Sequence, residues 1–253
     1  MYVVHVVDVS PFHSPGPTSA LRAIEAQAIQ EAKEAAAELS PVLHGIVNEV
    51  VICKGDVWKE ISQIVEQKRI DLIVTGTHGR SGLGKMVLGS AAERIFRHSP
   101  CPVLTIGPEI RRDPDGFAHP HSILAPSDFS PESLAAVSWA ASLAQSERAR
   151  LYLLHVTPSE DVPSSSLREA LRNLLPSETE FGCAPKVRVE AGNPSQKILD
   201  LAEELAVDLI VLGVKPPAIL KGTSTHQTMA TACKVVSGAP CPVITIRSSA
   251  TVN

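Results

Sequence analysis

Several common routes to function are closed by what this chain of 253 residues lacks. It has no basic excess: 23 Lys and Arg stand against 27 Asp and Glu, a net charge of −4, which argues against nucleic acid as a partner. No stretch approaches the roughly 18 consecutive apolar residues of a membrane span. The opening MYVVHVV is too short, and too soon followed by Asp8, for a signal peptide. The expectation is a cytoplasmic protein without a membrane partner. Cys53, Cys101, Cys183, Cys233 and Cys241 contain no CxxC pair, so reduced, mostly buried thiols are expected rather than a disulfide frame. Cys101 and Cys241 both precede Pro-Val in equivalent apolar runs and read as core residues. Two familiar nucleotide fingerprints are missing as well. Gly79 to Met86 reads GRSGLGKM, with Met86 where a P-loop needs Ser or Thr, and Gly82 and Gly84 have Val87 in place of the third glycine of GxGxxG.

What is present is a repeat. MYVVHVVDV at Met1 to Val9 matches LYLLHVTPS at Leu151 to Ser159, DLIVTG at Asp71 to Gly76 matches DLIVLG at Asp208 to Gly213, and PCPVLTI at Pro100 to Ile106 matches PCPVITI at Pro240 to Ile246. Three matches in one order mean a duplicated domain, and two copies that mix strands with long helices suit a packed pair rather than a solenoid. The polar stretch RRDPDGFAHPH, Arg111 to His121, reads as the connection. The expected organisation is therefore a first domain over 1–109, a linker over 110–120 and a second domain over 121–249. A composition of 44% hydrophobic and 20% charged residues is ordinary for such domains.

In half two, apolar runs alternate with helical segments. Strands are expected at His121 to Ser127, Arg150 to Val156, Lys186 to Glu190, Asp208 to Leu212 and Pro242 to Ile246. Helices are expected at Pro131 to Ser146 behind Ser130 as N-cap, near Pro163 to Leu175, at Pro194 to Ala206 behind Asn193, and near Gln227 to Val236. Five strands joined through four helices imply an α/β fold with a parallel, doubly wound sheet. Half one shows only four of those strands, because the chain opens at the counterpart of the second. The strand and helix that half two carries before that point, a unit of roughly 30 residues, have no counterpart. Loss of a central strand would leave two unpaired sheet edges, so a start codon assigned too late is the preferred explanation.

The most informative segment is the loop after DLIVTG. Gly76 is expected to end a short buried strand, and as a residue without Cβ it allows close approach of a ligand to the backbone. Gly79 follows, and Gly89-Ser90 opens the helical stretch SAAERIFRH. The first amides of a helix have no intrahelical partner and favour an anion. A plain strand-turn-helix connection explains the glycine spacing about equally well at this level.

Taken together, these motifs resemble a tandem universal stress protein, over nearly all of the chain outside the linker. GTHGRSGLGKMVLGS at Gly76 to Ser90 fits the family's nucleotide motif of Gly, two residues, Gly, nine residues, Gly and Ser or Thr. The resemblance implies two domains of the adenine nucleotide alpha hydrolase-like fold, the first N-terminally incomplete, and a site for ATP, which Mg²⁺ can accompany. It assigns Gly76, Gly79, Gly89 and Ser90 to the ribose and phosphates with Ala91 close by, and Val6 to the adenine pocket. Thr77, His78 and Arg80 lie in the same loop as candidate contacts, although Arg80 and Lys85 read equally as solvated charges. ILAPSDFSPES at Ile123 to Ser133 is similar to the family's first strand and turn, so Pro126, Ser127, Asp128 and Val156 supply an adenine side in half two. There Gly213 survives while Pro216 replaces the second glycine, and either Met229 and Ala230 or His226 and Gln227 stand opposite Gly89 and Ser90, depending on the alignment. Half two is therefore a degenerate second site, expected not to bind ATP, and without intact glycines Asp128 reads better as a turn organiser.

The functional expectation is an ATP-binding regulator of stress response with one competent site, half two serving as a structural or docking partner. A nucleotide-independent scaffold and an ATP-hydrolysing enzyme of a related superfamily are the alternatives. Hydrolysis needs a base and usually a carboxylate-held metal, and Asp8 is the one acid expected near the half-one site, so at most a weak ATPase is expected. His5 and His155 occupy equivalent places and read as strand residues. His119 and His121 flank a linker proline without a further cluster and are not assigned as metal ligands. The resemblance also implies pairing of the two halves through their last strands, VLTI and VITI, and leaves a homodimer open.

Overall fold

The computed structural model describes residues 1–8, 19–39, 41–77, 88–107, 110, 119–162, 164–175, 184–215 and 223–247, with backbone alone at 19–21 and 223–229. The chain divides into two compact units, Met1–Ile70 and Asp71–Asn253.

The first unit contains β1 (Tyr2–Val7), α1 (Ser19–Glu38), β2 (Glu49–Lys54) and α2 (Val57–Lys68). β1 and β2 form a parallel two-stranded sheet in register from Tyr2 opposite Glu49 to Val7 opposite Lys54. Asp56 caps α2 by accepting from the Lys59 amide at 3.0 Å, which satisfies one of the orphan donors of the first turn. Among the described residues, its buried apolar side chains are Val7, Ala32 and Val65.

The second unit begins with β3 (Ile73–Gly76), α3 (Ser90–His98) and β4 (Val103–Ile106). It continues with β5 (Ser122–Pro126), α4 (Pro131–Glu147), β6 (Arg150–Thr157), α5 (Ser164–Arg172), β7 (Lys186–Ala191), α6 (Pro194–Glu204), β8 (Leu209–Gly213), α7 (Thr223–Gly238) and β9 (Val243–Ile246). Its seven strands run in the order β3-β4-β9-β8-β5-β6-β7, every neighbouring pair parallel except β4 with β9. The five strands of half two thus form a doubly wound sheet that reverses between β5 and β8. The core lies between this sheet and α4: Ile123, Leu151, Leu153, Leu209, Val211, Ile244 and Ile246 pack against Ala136, Val137, Ala140 and Ala144. Alanines let the helix approach the sheet closely.

Element boundaries in half two lie within one or two residues of the sequence expectation, except that α7 starts at Thr223 and α5 ends at Arg172. Ser130 and Asn193 are the N-caps, accepting from the Ser133 and Gln196 amides. Gly76 does not terminate β3 from outside; it is the last strand residue and stands opposite Ile106. Half one contributes to two sheets instead of one. Among the described residues it holds no counterpart of β5, which in half two bonds to both β6 and β8. The boundary between the compact units accordingly falls inside the first repeat.

Burial of the thiols is less complete than expected. Cys241 is buried, whereas Cys53, Cys101 and Cys233 are half-buried, and none of the four is in a disulfide; Cys183 lies outside the described residues. Burial first, then the charge of Glu93, pushes the Cys233 thiol up.

Candidate functional site

The described part of the half-one motif is held by backbone hydrogen bonds at both ends of its loop. The Thr77 amide donates to the Ile106 carbonyl at 2.9 Å, and the Gly89 amide donates to the Thr77 carbonyl at 2.8 Å. Thr77 is buried. Gly89 is the N-cap of α3 in extended conformation, with no side chain to satisfy the first turn, so the amides that follow, beginning at Ser90 and Ala91, have no acceptor within the helix. Ser90 and Ala91 are exposed. His78, Gly79 and Arg80 lie outside the described residues. Val6 is half-buried on β1 opposite Cys53, in the first unit. The structure thus brings Gly76, Thr77, Gly89, Ser90 and Ala91 together within the second unit, while Val6 belongs to the other.

In half two the expected residues Pro126, Ser127, Asp128, Val156 and Gly213 all line one cavity of about 490 Å³. It opens beyond the carboxyl ends of β5, β6 and β8, where strand order reverses and open α/β sheets bind ligands. Leu154, Ile198 and Leu212 supply apolar wall, and Ser127, Asn193 and Lys234 add polar groups. Lys234 and Ile198 were not legible as site residues, because only the packing of α6 and α7 brings them to the strand ends.

Asp128 organises a turn. Its Oδ1 accepts from the Ser130 amide at 3.0 Å and from the Ser130 hydroxyl at 2.5 Å. Burial pushes this carboxyl up, but hydrogen bonds from Ser130 and Ser133 and the charge of Lys215 outweigh it, holding Asp128 below the usual carboxylate range. The next residue, Phe129, takes the left-handed conformation with φ 62°, and its amide donates to Ser127 Oγ at 3.1 Å. His155 supports the same turn: Nδ1–H donates to the Ser127 carbonyl at 2.7 Å, and the ring lies 4.9 Å from that of Phe129.

The surviving glycine has a packing reason. A Cβ on Gly213 would lie 2.5 Å from the backbone of Glu132 and Ser133 in the first turn of α4, so β8 and α4 meet only because Gly213 has none. The helix after the loop differs too. α7 begins at Thr223, upstream of both alignments, so Gln227 and Ala230 are internal to a helix and their amides bond within it. Pro216 lies outside the described residues, as do the side chains of His226, Gln227 and Met229. Half two therefore keeps a cavity but not the free helix start that Ser90 offers.

The two linker histidines serve separate neighbours. His119 Nδ1 meets Glu147 at 2.5 Å, and the His121 amide donates to Asp208 Oδ2 at 2.9 Å. Among the described residues no group of three or more His, Cys, Asp or Glu is placed to hold a metal, and no helix is long and apolar enough to cross a membrane.

Comparison with known proteins extends this picture. A family model described as the universal stress protein family matches residues 1–107 and 120–247. A universal stress protein of Methanocaldococcus jannaschii is 34% identical over 108 residues, which cover 42% of this chain and 64% of that protein. One of Bacillus subtilis is 37% identical over 78 residues, covering 31% of this chain and 49% of its own length. The chain thus spans less than two thirds of either relative. Among solved structures, a universal stress protein from Archaeoglobus fulgidus superposes with a TM-score of 0.72 at 22% identity, over 97% of this chain and 85% of the other. That likeness establishes the fold.

Proposed function

Because the chain belongs to the universal stress protein family, we propose that it is an ATP-binding regulator of stress response whose single competent nucleotide site is built on the Gly76 to Ser90 motif. The observation that carries this reading is the open start of α3: Gly89 caps the helix without a side chain and is tied through its own amide to Thr77. That leaves the Ser90 and Ala91 amides for phosphate oxygens, and bare backbone at Gly76, Gly79 and Gly89 lets the anion come close. Thr77, His78 and Arg80 complete the loop, and Val6 supplies adenine wall. A Mg²⁺ ion can accompany the triphosphate. No side chain is assigned to hydrolysis, so turnover is at most weak.

Half two serves as a structural or docking partner in this reading and does not bind ATP. Its Gly213 is committed to α4 and its equivalent helix has no free first turn where the phosphates would lie. The halves pair within one chain, a homodimer of such chains is compatible with this, and the site of action is the cytoplasm.

Calorimetric titration with ATP, together with a phosphate-release assay, tests these readings. Saturable binding that weakens at least about tenfold in Gly89→Trp, where a bulky side chain enters the anion site, is expected. The affinity should be unchanged in Asp128→Asn, and turnover should be negligible. Absence of binding in the wild-type chain favours the scaffold, and phosphate release abolished by Gly89→Trp favours the enzyme.

A further inference from the structure

The half-two cavity is lined by residues between 126 and 234, all in the second unit, and most of its polar side chains are already engaged. Ser127 Oγ accepts from the Phe129 amide and meets Ser133 Oγ at 3.1 Å, while Ser133 Oγ donates to the Ser130 carbonyl at 3.0 Å. Ser195 Oγ donates to Asn193 Oδ1 at 2.7 Å, and Thr231 has a partner as well. Asp128 accepts from the Ser130 amide and hydroxyl, and the charge of Lys215 answers its own. Two groups remain. Lys234 is exposed and, among the described residues, has no hydrogen bond or ion pair. Asn193 Oδ1 is occupied by Ser195 and by the Gln196 amide at 3.2 Å, but its side-chain N–H groups meet no acceptor among the described residues. Both uncommitted groups are donors, and one is charged.

The rest of the wall is aliphatic. Leu154, Ile198 and Leu212 are buried, and Pro126, Val156 and Pro194 extend the surface. A cavity of about 490 Å³ with apolar walls and a few convergent polar groups suits a small molecule. Ligand classes differ in what they demand of it. A triphosphate needs a run of free helix-start amides, and α7 begins upstream of the equivalent position. A cation needs a carboxylate with charge to spare, whereas Asp128 is already matched by Lys215. A neutral hydrocarbon makes no use of the Lys234 ammonium. One negative charge on an aliphatic body uses both the wall and the donors.

We propose that this cavity binds a small monocarboxylate, its aliphatic chain against Leu154, Val156, Ile198 and Leu212 and its carboxylate on the Lys234 ammonium, with the Asn193 amide as second donor. A hydrogen bond from an ammonium to a carboxylate is roughly twice as strong as a neutral one, which fixes the orientation of the ligand. Each methylene taken out of water adds a similar increment, so affinity follows chain length until the cavity is filled. The inference rests on the reading that half two takes no triphosphate, and it is independent of the site on the Gly76 to Ser90 motif.

The probes are butanoate, hexanoate and octanoate, titrated into the full chain and followed by calorimetry and by methyl NMR. Saturable one-to-one binding is expected, with affinity rising about fourfold per methylene and the largest shifts at the methyl groups of Leu154, Val156, Ile198 and Leu212. Octanol, which has the chain without the charge, should bind at least about tenfold more weakly than octanoate, and octanoate should lose as much in Lys234→Glu. Lys234 is exposed, so this variant should fold, which a melting curve checks. Absence of saturable binding overturns the inference, as do equal affinities for the three acids or full octanoate binding in Lys234→Glu. Displacement of octanoate by ATP or adenosine overturns it too, by returning the cavity to a nucleotide. Octanoate binding by a chain that binds no ATP sustains it while refuting the half-one site, so the two readings fail separately.

Discussion

Gly213 is the residue whose reading changes most once its surroundings are known. In sequence it is the remnant of a phosphate motif; in space it is the point where β8 and α4 touch. Which of the two applies cannot be read along the chain, because the close approach of Glu132 depends on how a helix some eighty positions earlier lies on the sheet. Gly213→Ala places a methyl group 2.5 Å from backbone that cannot rotate away, and a loss of about 1–3 kcal/mol is expected in a urea melt of the second unit. Thr105 makes the opposite case. It is 1% exposed and, among the described residues, its hydroxyl has no partner. Thr105→Val should therefore raise stability by about 1 kcal/mol by the same measurement, since an unmade buried hydrogen bond costs more than the apolar isostere. The turn role of Asp128 was legible, because Ser130 and Pro131 follow it closely. Its folded pKa lies below the unfolded value, so its contribution is present above about pH 4 and is lost as pH falls through the folded pKa. Asp128→Asn should flatten the acid limb of stability against pH in that window and leave the neutral region parallel to wild type.

Among the elements, those that sequence located well are the ones whose ends carry their own chemistry. Ser130 and Asn193 cap α4 and α6 as expected, each followed by Pro at the first turn, and Asn193→Ala should cost about 1 kcal/mol in thermal unfolding. β5, β6, β8 and β9 were legible because they are largely buried and carry continuous apolar runs, and β7 because KVRVEA alternates apolar with charged residues. β3 carries the same run without the burial, so its composition told of a central strand and its position makes it an edge. The antiparallel pairing of β4 with β9 was beyond derivation from pattern: VLTI and VITI fit many partners, and only the resemblance pointed to this one. The start of α7 was misplaced because Thr223 to His226 offers no apolar period to mark it.

For the molecule as a whole, the repeat announced two domains, while the contacts divide the chain at Ile70. Sequence could not show this division, because a repeat records descent and cohesion depends on which strands carry bonds on both sides. The first unit buries few apolar side chains, Val7, Ala32 and Val65 among them, whereas the second has a continuous cluster around α4. Unfolding should therefore proceed in two steps, with amides of β1 and β2 losing hydrogen-exchange protection at lower urea than those of β5, β6 and β8. Coincident protection loss across all five strands would refute the division.

The joint between β4 and β9 pairs equivalent strands about equivalent residues, with Leu104 opposite Ile244 at its middle and Val103 and Thr105 opposite Thr245 and Val243. Three residue pairs would hold two separate molecules together only feebly. Here both sides belong to one polypeptide, so one edge meets the other at an effective concentration fixed by their covalent connection and not by dilution. The joint should consequently stay closed at any dilution, and its opening should follow temperature and denaturant instead of protein concentration.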